Sequence, residues 1–473
     1  MSTVPARSPG RGPSSCDGTG VSLPAGGGEA DPMSPRTRPR RIAIALQGGG
    51  SHTAFTAGVL ARLLRSPALG TADDPAEIVA VSGTSGGAIC ALVAWDRLRD
   101  GQTPDRREAA AAALEAFWAD NAARGPLERL ANLGLVTAGA LQGLGLVPAG
   151  TPYLVPRLFD GTRQFRDLVA RHVGFGPDGA VAPDPDPARP LLLLGAVDVL
   201  TGDFRAFSSR TDPITADTVL ASAAVPTLFR AVHTGGGVYW DGLFSQNPPT
   251  HDLLDADPDE LWVVQINPSR IDREPRTPVE IADRRNALAG NLSLHQELGF
   301  VETVDRLLAD GSLGPDSGYR QVTVRVLEMP ASTIRSRLLG SASKIDRDVV
   351  FLEHLQRRGA AQAERFLGAL AFERAVRDRD PVALAAAVAP DAVLTSTAPF
   401  RERDPAGVPL LAHVDALLDG EVTVDATRKQ VAAETARWAV RVHRDTGTAD
   451  GLAEADLDDA GLVTALRLGP PSP

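Results

Sequence analysis

Two apolar runs, each followed by a turn of small residues and then a stretch of helical length, constrain the fold of this chain most tightly. Ile42-Ala43-Ile44-Ala45-Leu46 has the length and composition of a buried strand; Gly48-Gly49-Gly50 follows it, and a helical pattern runs from Thr53 to Arg65. The unit then repeats, with Ile78-Val79-Ala80-Val81 as strand, Ser82 to Gly87 as turn and Ala88 to Leu98 as helix. Successive strand–turn–helix units imply a parallel sheet with helices packed on its faces, an α/β fold. Further strands are expected at Leu191 to Val197, Val238 to Trp240, Leu261 to Ile266 and Val322 to Leu327. Helices are expected at Glu108 to Asn121 and Gln296 to Ala309, and Pro177 to Pro190 reads as a surface loop.

A chain of 473 residues exceeds what one hydrophobic core usually serves. Residues 1–39 are rich in Pro, Gly, Ser and Arg and carry almost no apolar periodicity, the composition of a disordered tail. The α/β pattern occupies 40–368. From 369 to 473 it gives way to two helices, Leu370 to Arg377 and Val382 to Val388, and then to short β-prone runs such as Ala436 to Val442 and Leu462 to Leu468, which suggests a separate α+β domain.

A formal net charge of -11, with no Lys/Arg stripe inside the body of the chain, argues against a nucleic-acid partner. The short basic cluster Arg36, Arg38, Arg40 and Arg41 reads as a solvated linker, though it is compatible with peripheral contact with an anionic membrane. Cys16 and Cys90 are too few for a disulfide framework or a thiol metal site. No run approaches the roughly eighteen apolar residues of a membrane span and the N-terminus lacks a signal-peptide core, so a cytoplasmic protein is expected.

Gly83-Thr84-Ser85-Gly86-Gly87 fits G-x-S-x-G, in which a sharp strand-to-helix turn presents a serine nucleophile at a helix N-terminus; bulk at Gly83 or Gly87 would collide across that turn. The amides of Gly48, Gly49 and Gly50, at the end of the preceding strand, suit an oxyanion hole. A phosphate-binding loop shares this arrangement, but Thr53 stands where G-x-G-x-x-G needs its last glycine and no Walker Lys-Ser/Thr pair follows. Asp241, after Val238-Tyr239-Trp240 and before Gly242, would sit on a tight turn at a strand end. His251 and His295 remain as bases of an ordinary Ser-His-Asp triad.

These residues resemble the patatin-like phospholipases over about residues 41 to 368, with three motifs in order: Gly48-Gly49-Gly50, Gly83 to Gly87, and Asp241-Gly242-Leu243. The segment Ala221 to Pro226 and Asn247-Pro248 are similar to the same family pattern. The resemblance implies a three-layer sandwich around a mostly parallel sheet and a serine acyl hydrolase of the phospholipase A or lipid esterase type. In that reading Ser85 is the nucleophile, Asp241 its base in a Ser–Asp dyad, Gly48, Gly49 and Gly50 the oxyanion hole, and no metal or cofactor takes part. The chain departs from the family at His52, where an Arg or Lys is usual, at Thr53, and at Leu243. The C-terminal stretch resembles a SnoaL-like cone, which implies dimerisation or ligand sensing. Two alternatives stay open: a catalytically silent lipid-binding scaffold, and an acyltransferase working through the same acyl-enzyme.

Overall fold

The computed structural model describes residues 38–470, except 71–73, 102, 104, 144–145, 148–150, 155–160, 227, 272, 336–339, 398–399, 401–406, 414–421 and 445–446. The tail expected over 1–39 lies, up to residue 37, outside the described residues.

The first apolar run forms β1 (Arg40–Leu46), fully buried from Ile42 to Leu46. A 3₁₀ turn at Gly50–Thr53 leads into α1 (Ala54–Leu64). β2 (Ala76–Thr84) lies parallel to β1, with Leu46 opposite Gly83, and turns at Ser85 into α2 (Gly86–Leu98). Helices α3 (Arg106–Asn121), α4 (Pro126–Gly143) and α5 (Thr162–His172) follow. The short β3 (Ala180–Val181) precedes β4 (Leu191–Asp198), which joins β2 in parallel and carries β5 (Phe204–Ser208) folded back on it.

Next come β6 (Ile214–Thr215), paired with β3, then α6 (Ala216–Ala223) and a hairpin of β7 (Val232–Thr234) and β8 (Gly237–Asp241), the latter antiparallel to β4. β9 (Glu260–Gln265) adds to the far side of β1; α7 (Pro278–Ala309), β10 (Thr323–Glu328) and the short α8 (Ser332–Arg335) follow. The remaining elements are α9 (Val349–Arg377), α10 (Pro381–Ala386), β11 (Val388–Ser396), β12 (Val408–Pro409), β13 (Val422–Ala432), β14 (Thr435–Arg444), β15 (Gly447–Leu457) and β16 (Val463–Gly469).

One sheet runs through all of this, in the order β7-β8-β4-β2-β1-β9-β10-β13-β14-β15-β16-β11-β12. From β4 to β13 every neighbour is parallel, and helices cover both faces. Ile42, Ile44 and Leu46 point into the layer built by α1, α2, α3 and α9; Ala43 and Ala45 point to the other side, against Leu294, Leu298 and Val301 of α7. Burial on both faces is why these strands read as continuous apolar runs rather than alternating ones. No helix among the described residues is long and apolar enough to cross a membrane.

The position expected to separate two domains, 368/369, lies inside α9, and Arg38–Pro473 forms one compact unit. α9 packs along α1 at glycine contacts: a Cβ at Gly359 would stand 2.1 Å from the Phe55 carbonyl oxygen, and one at Gly58 2.0 Å from that of Gln356. β13 pairs in parallel with β10, Arg325 opposite Lys429. Across this junction runs a buried ionic chain. Arg40 (2.9 Å) and Arg325 (2.7 Å) donate to Glu260, and Arg325 turns its other two nitrogens to Glu373, at 2.6 and 3.1 Å. Lys429 also donates to Glu373, and Trp438 does so at 3.3 Å. Burial works against the charge of Glu373, yet Arg325 and Lys429 hold its carboxyl below the usual range.

Removing one member of such a network strands the others without a counter-charge. Glu373→Ala is expected to cost roughly 3–5 kcal/mol of folding free energy at neutral pH, read from urea unfolding. A loss no larger than that of an exposed Glu→Ala change would contradict the placement of this network at the junction.

Candidate active site

Because β1 and β2 are neighbours that end at the same edge, the turns following them are forced together. A Cβ at Gly87 would lie 2.2 Å from the Leu46 carbonyl oxygen, one at Gly83 2.3 Å from that of Gly87, and one at Gly48 2.8 Å from the Ser85 Cβ. Only glycine lets the two backbones come this close. Ser85 sits at the top with φ 57° and ψ -128°, a left-handed setting that strains any residue but glycine, and it caps α2 from its N-terminal side. Its N–H donates to the Ser222 carbonyl oxygen (3.1 Å) and Oγ (3.0 Å), while the Ser222 hydroxyl donates to the Gly195 carbonyl oxygen at 2.6 Å. The elbow is thereby tied to α6 and β4.

Asp241 ends β8 opposite Ala196 and is 1% exposed. Its N–H donates to the Ala224 carbonyl oxygen at 3.0 Å, and its Oδ1 accepts the Leu243 N–H at 2.8 Å. The nearby Ser85 side chain favours the ionised form of the carboxylate. Burial pushes the Asp241 carboxyl up to about 6, against the opposing pull of the Ser85 and Leu243 hydrogen bonds and of the Lys344 charge. Gly242 allows the sharp turn, since a Cβ there would meet the Gly195 carbonyl oxygen at 2.5 Å.

The two histidines considered as bases, His251 and His295, lie elsewhere. His251 is exposed, beside Asp252 (3.3 Å) and the Phe300 ring, and His295 is on the solvent side of α7. The titratable side chain coupled to Ser85 is Asp241 rather than either of these imidazoles.

Of the three amides expected to hold an oxyanion, that of Gly48 is already engaged, donating to Asn247 Oδ1 at 2.8 Å. The Gly49 and Gly50 amides have no acceptor among the described residues. Gly50 has φ 58°, and a Cβ on it would fall 2.2 Å from the Lys344 carbonyl oxygen. Thr53, standing at the position of the family's last glycine, donates its hydroxyl to the Gly50 carbonyl oxygen at 2.6 Å. His52 is buried, with Nε2 2.7 Å from Ser343 Oγ; burial, aided by the Lys344 charge, lowers it to about 3, so the ring is neutral at physiological pH.

α7 braces both the glycine loop and the segment that follows Asp241. The Asn247 Nδ2 donates to the Gly290 carbonyl oxygen at 3.1 Å, and Gln47 donates to the same oxygen (3.1 Å) and to Asn291 Oδ1 (2.8 Å). Gln47 Oε1 accepts the N–H groups of Ile266 and Asn267, each at 2.8 Å. Half-buried Lys344, on the 3₁₀ turn Gly340–Ile345, donates to Asn267 Oδ1 at 3.3 Å. Sequence reasoning did not single out Gln47 or Lys344. Ser222 and Asn247 lay inside segments already similar to the family pattern.

Residues 44–254 match the family model described as Patatin-like phospholipase. No curated protein matches the chain. Solved structures match its C-terminal region. They include an NTF2-like protein from Cytophaga hutchinsonii, at 11% identity, covering 22% of this chain and 87% of that one, with a TM-score of 0.18. A protein with a cystatin-like fold from Methylobium petroleophilum matches at 16% identity, 24% and 78% coverage and a TM-score of 0.20. A Delta 5-3-ketosteroid isomerase from Mycobacterium sp. matches at 22% identity, 22% and 91% coverage and a TM-score of 0.18.

The raised Asp241 carboxyl has a cost in stability whose sign is fixed. The folded protein holds that proton up to about pH 6 while the unfolded chain releases it near 3.8, so stability falls as pH rises through this window. Asp241→Asn is expected to unfold at higher urea than wild type at pH 7.5, by about 2–3 kcal/mol, with the gain vanishing toward pH 4. A gain independent of pH, or a loss at pH 7.5, would contradict a buried, elevated carboxyl.

Proposed function

We propose that the patatin-like phospholipase domain matched at residues 44–254 is a serine acyl hydrolase acting on lipid esters, with Ser85 as nucleophile and Asp241 as its base. The observation that carries this reading is the buried carboxyl of Asp241, raised to about 6 and coupled to the side chain of a strained serine. An ordinary carboxylate is too weak a base for an alcohol; one lifted toward neutrality is better matched to the task.

Ser85 Oγ attacks the ester carbonyl as its proton passes to Asp241, and the Gly49 and Gly50 amides receive the oxyanion, with α2 directing its positive end at the same region. Collapse breaks the ester C–O bond, and Asp241 returns the proton to the departing alkoxide. Water then attacks the acyl-enzyme, giving its proton to Asp241, and Ser85 leaves with it. The cytoplasm is the expected setting.

Contact with a lipid surface is part of the proposal. α4 carries only Glu128 and Arg129 as charges and buries only Val136, while Leu127 (81% exposed), Leu130, Leu133 and Leu135 face solvent. It packs on the Gly340–Ile345 turn, which in turn packs on the glycine loop, and Phe244, exposed, follows Asp241 by three positions. An apolar, nearly uncharged face beside a lipid-ester site suits a lipid aggregate better than water.

Hydrolysis of p-nitrophenyl butyrate tests the chemistry. Ser85→Ala and Asp241→Asn are each expected to lower kcat by roughly four orders of magnitude, while a His251→Ala/His295→Ala double substitution leaves it unchanged. An inactive wild type, or activity indifferent to Ser85, would sink the proposal. Leu130→Asp/Leu133→Asp tests the surface: hydrolysis of phosphatidylcholine vesicles should fall while hydrolysis of the soluble ester persists, and equal rates on vesicles would remove α4 from the account.

A further inference from the structure

We propose that Lys344 is a positioning residue for this reaction, its ammonium balancing the negative charge that passes from Asp241 to the oxyanion at Gly49 and Gly50. The inference rests on the hydrolase reading above. Of the 48 basic residues in the sequence, two are lysines, Lys344 and Lys429. Neither is a solvated surface charge. Lys429 is buried in the ionic chain at the β10–β13 junction, and Lys344 is half-buried beside the candidate site. A chain that otherwise uses arginine places a compact, strongly localised charge at these two inward positions.

The location of Lys344 is fixed by backbone as well as side chain. The Gly340–Ile345 turn closes over the glycine loop so tightly that the Lys344 carbonyl oxygen occupies the space a Cβ on Gly50 would need. Its Nζ donates to Asn267 Oδ1 at 3.3 Å, and the Asn267 N–H donates to Gln47 Oε1, the residue just before the loop. Among the described residues, the charged and titratable groups that act on it or feel its charge are Asp241 from the β8 turn, Asp283 from α7 and the neutral His52 from the loop. Burial draws the ammonium toward its neutral form, and the carboxylates of Asp283 and Asp241 oppose this; Lys344 in turn favours the ionised carboxylate of Asp241.

Charge conservation gives this arrangement its use. Before attack, one negative charge rests on Asp241 and Ser85 is neutral. After attack, Asp241 holds the serine proton and the substrate oxygen carries the charge. The total does not change, and a cation on the turn that closes over the glycine loop and acts on Asp241 stabilises the charge at either position without moving. The loop itself supplies no such charge, because His52 is neutral.

The test uses the full chain in a Cys16→Ser background, with p-nitrophenyl butyrate as substrate. Lys344→Met is expected to lower kcat on the order of a hundredfold with KM nearly unchanged. It should also move the acid limb of the rate profile to higher pH, since Asp241 loses its neighbouring cation. Lys344→Cys should be equally slow, and alkylation with 2-bromoethylamine, which rebuilds an ammonium of similar reach, should restore most of the rate. Cys90 stays silent in this step, because burial pushes its thiol up to about 12. Wild-type kcat in Lys344→Met would overturn the proposal. So would a Lys344→Cys protein shown by mass to be fully aminoethylated yet still slow. If Lys344→Met melts well below wild type, the rescue of Lys344→Cys decides alone. A wild type without Ser85-dependent activity would instead remove the hydrolase reading on which the inference stands.

Discussion

The turns that follow β1 and β2 approach each other until backbone meets backbone, and the rest of the site is arranged around that approach. Parallel pairing sets Leu46 opposite Gly83, so the chain leaving β1 and the chain leaving β2 emerge side by side. Gly87 against the Leu46 carbonyl oxygen, and Gly48 against Ser85, are the contact points. Put a methyl group at either and the turns must separate, taking the donors of Gly49 and Gly50 away from the serine they would serve. The left-handed backbone of Ser85 is affordable only because Ser222, Ala224 and Gly195 hold the elbow and the base strand in one hydrogen-bonded frame.

From that frame the electrostatics follow. β8 runs antiparallel to β4 and delivers Asp241 to a buried position, where burial raises its carboxyl and the Ser85 side chain opposes that rise. Asn247, six residues on, reaches back to fix Gly48, and α7 holds Asn247 and Gln47 through the same Gly290 carbonyl. The glycine loop and the segment after Asp241 are thus coupled through one helix. The C-terminal strands are joined to the same sheet by β13 and the buried Arg325–Glu373–Lys429 cluster, and α9 lies against α1, the helix that leaves the glycine loop.

Much of this was legible from the residues. The buried strands at β1, β2, β4, β9 and β10 announce themselves as apolar runs, and the elbow and base turn as small-residue motifs at strand ends. Helix lengths were less so. α7 begins at Pro278 behind a Thr277–Glu280 capping box, well before the stretch from Gln296 that apolar spacing suggests. α9 passes through Gly359 and Gly368, which serve close contact with α1 and with Gly461. The helix expected to reach Val388 stops at Ala386, because the Ala387 carbonyl is taken by the Val463 N–H and Val388 enters β11. In sequence Gly48 is equivalent to Gly49 and Gly50; the difference comes from Asn247, 199 positions later, whose Oδ1 accepts the hydrogen bond of the Gly48 N–H. Lys344 gave no local signal, since its meaning depends on a turn that folds over Gly50 from almost three hundred residues away in sequence.

The central claim is that Asp241 activates Ser85 directly. Trapping with a fluorophosphonate, followed by peptide mass mapping, tests it with least interference from substrate choice. The account predicts a single stoichiometric adduct on the peptide bearing Ser85, formed far more slowly in Asp241→Asn and at an unchanged rate when His251 and His295 are both replaced. No adduct, an adduct on another serine such as Ser343, or labelling indifferent to Asp241 would contradict it.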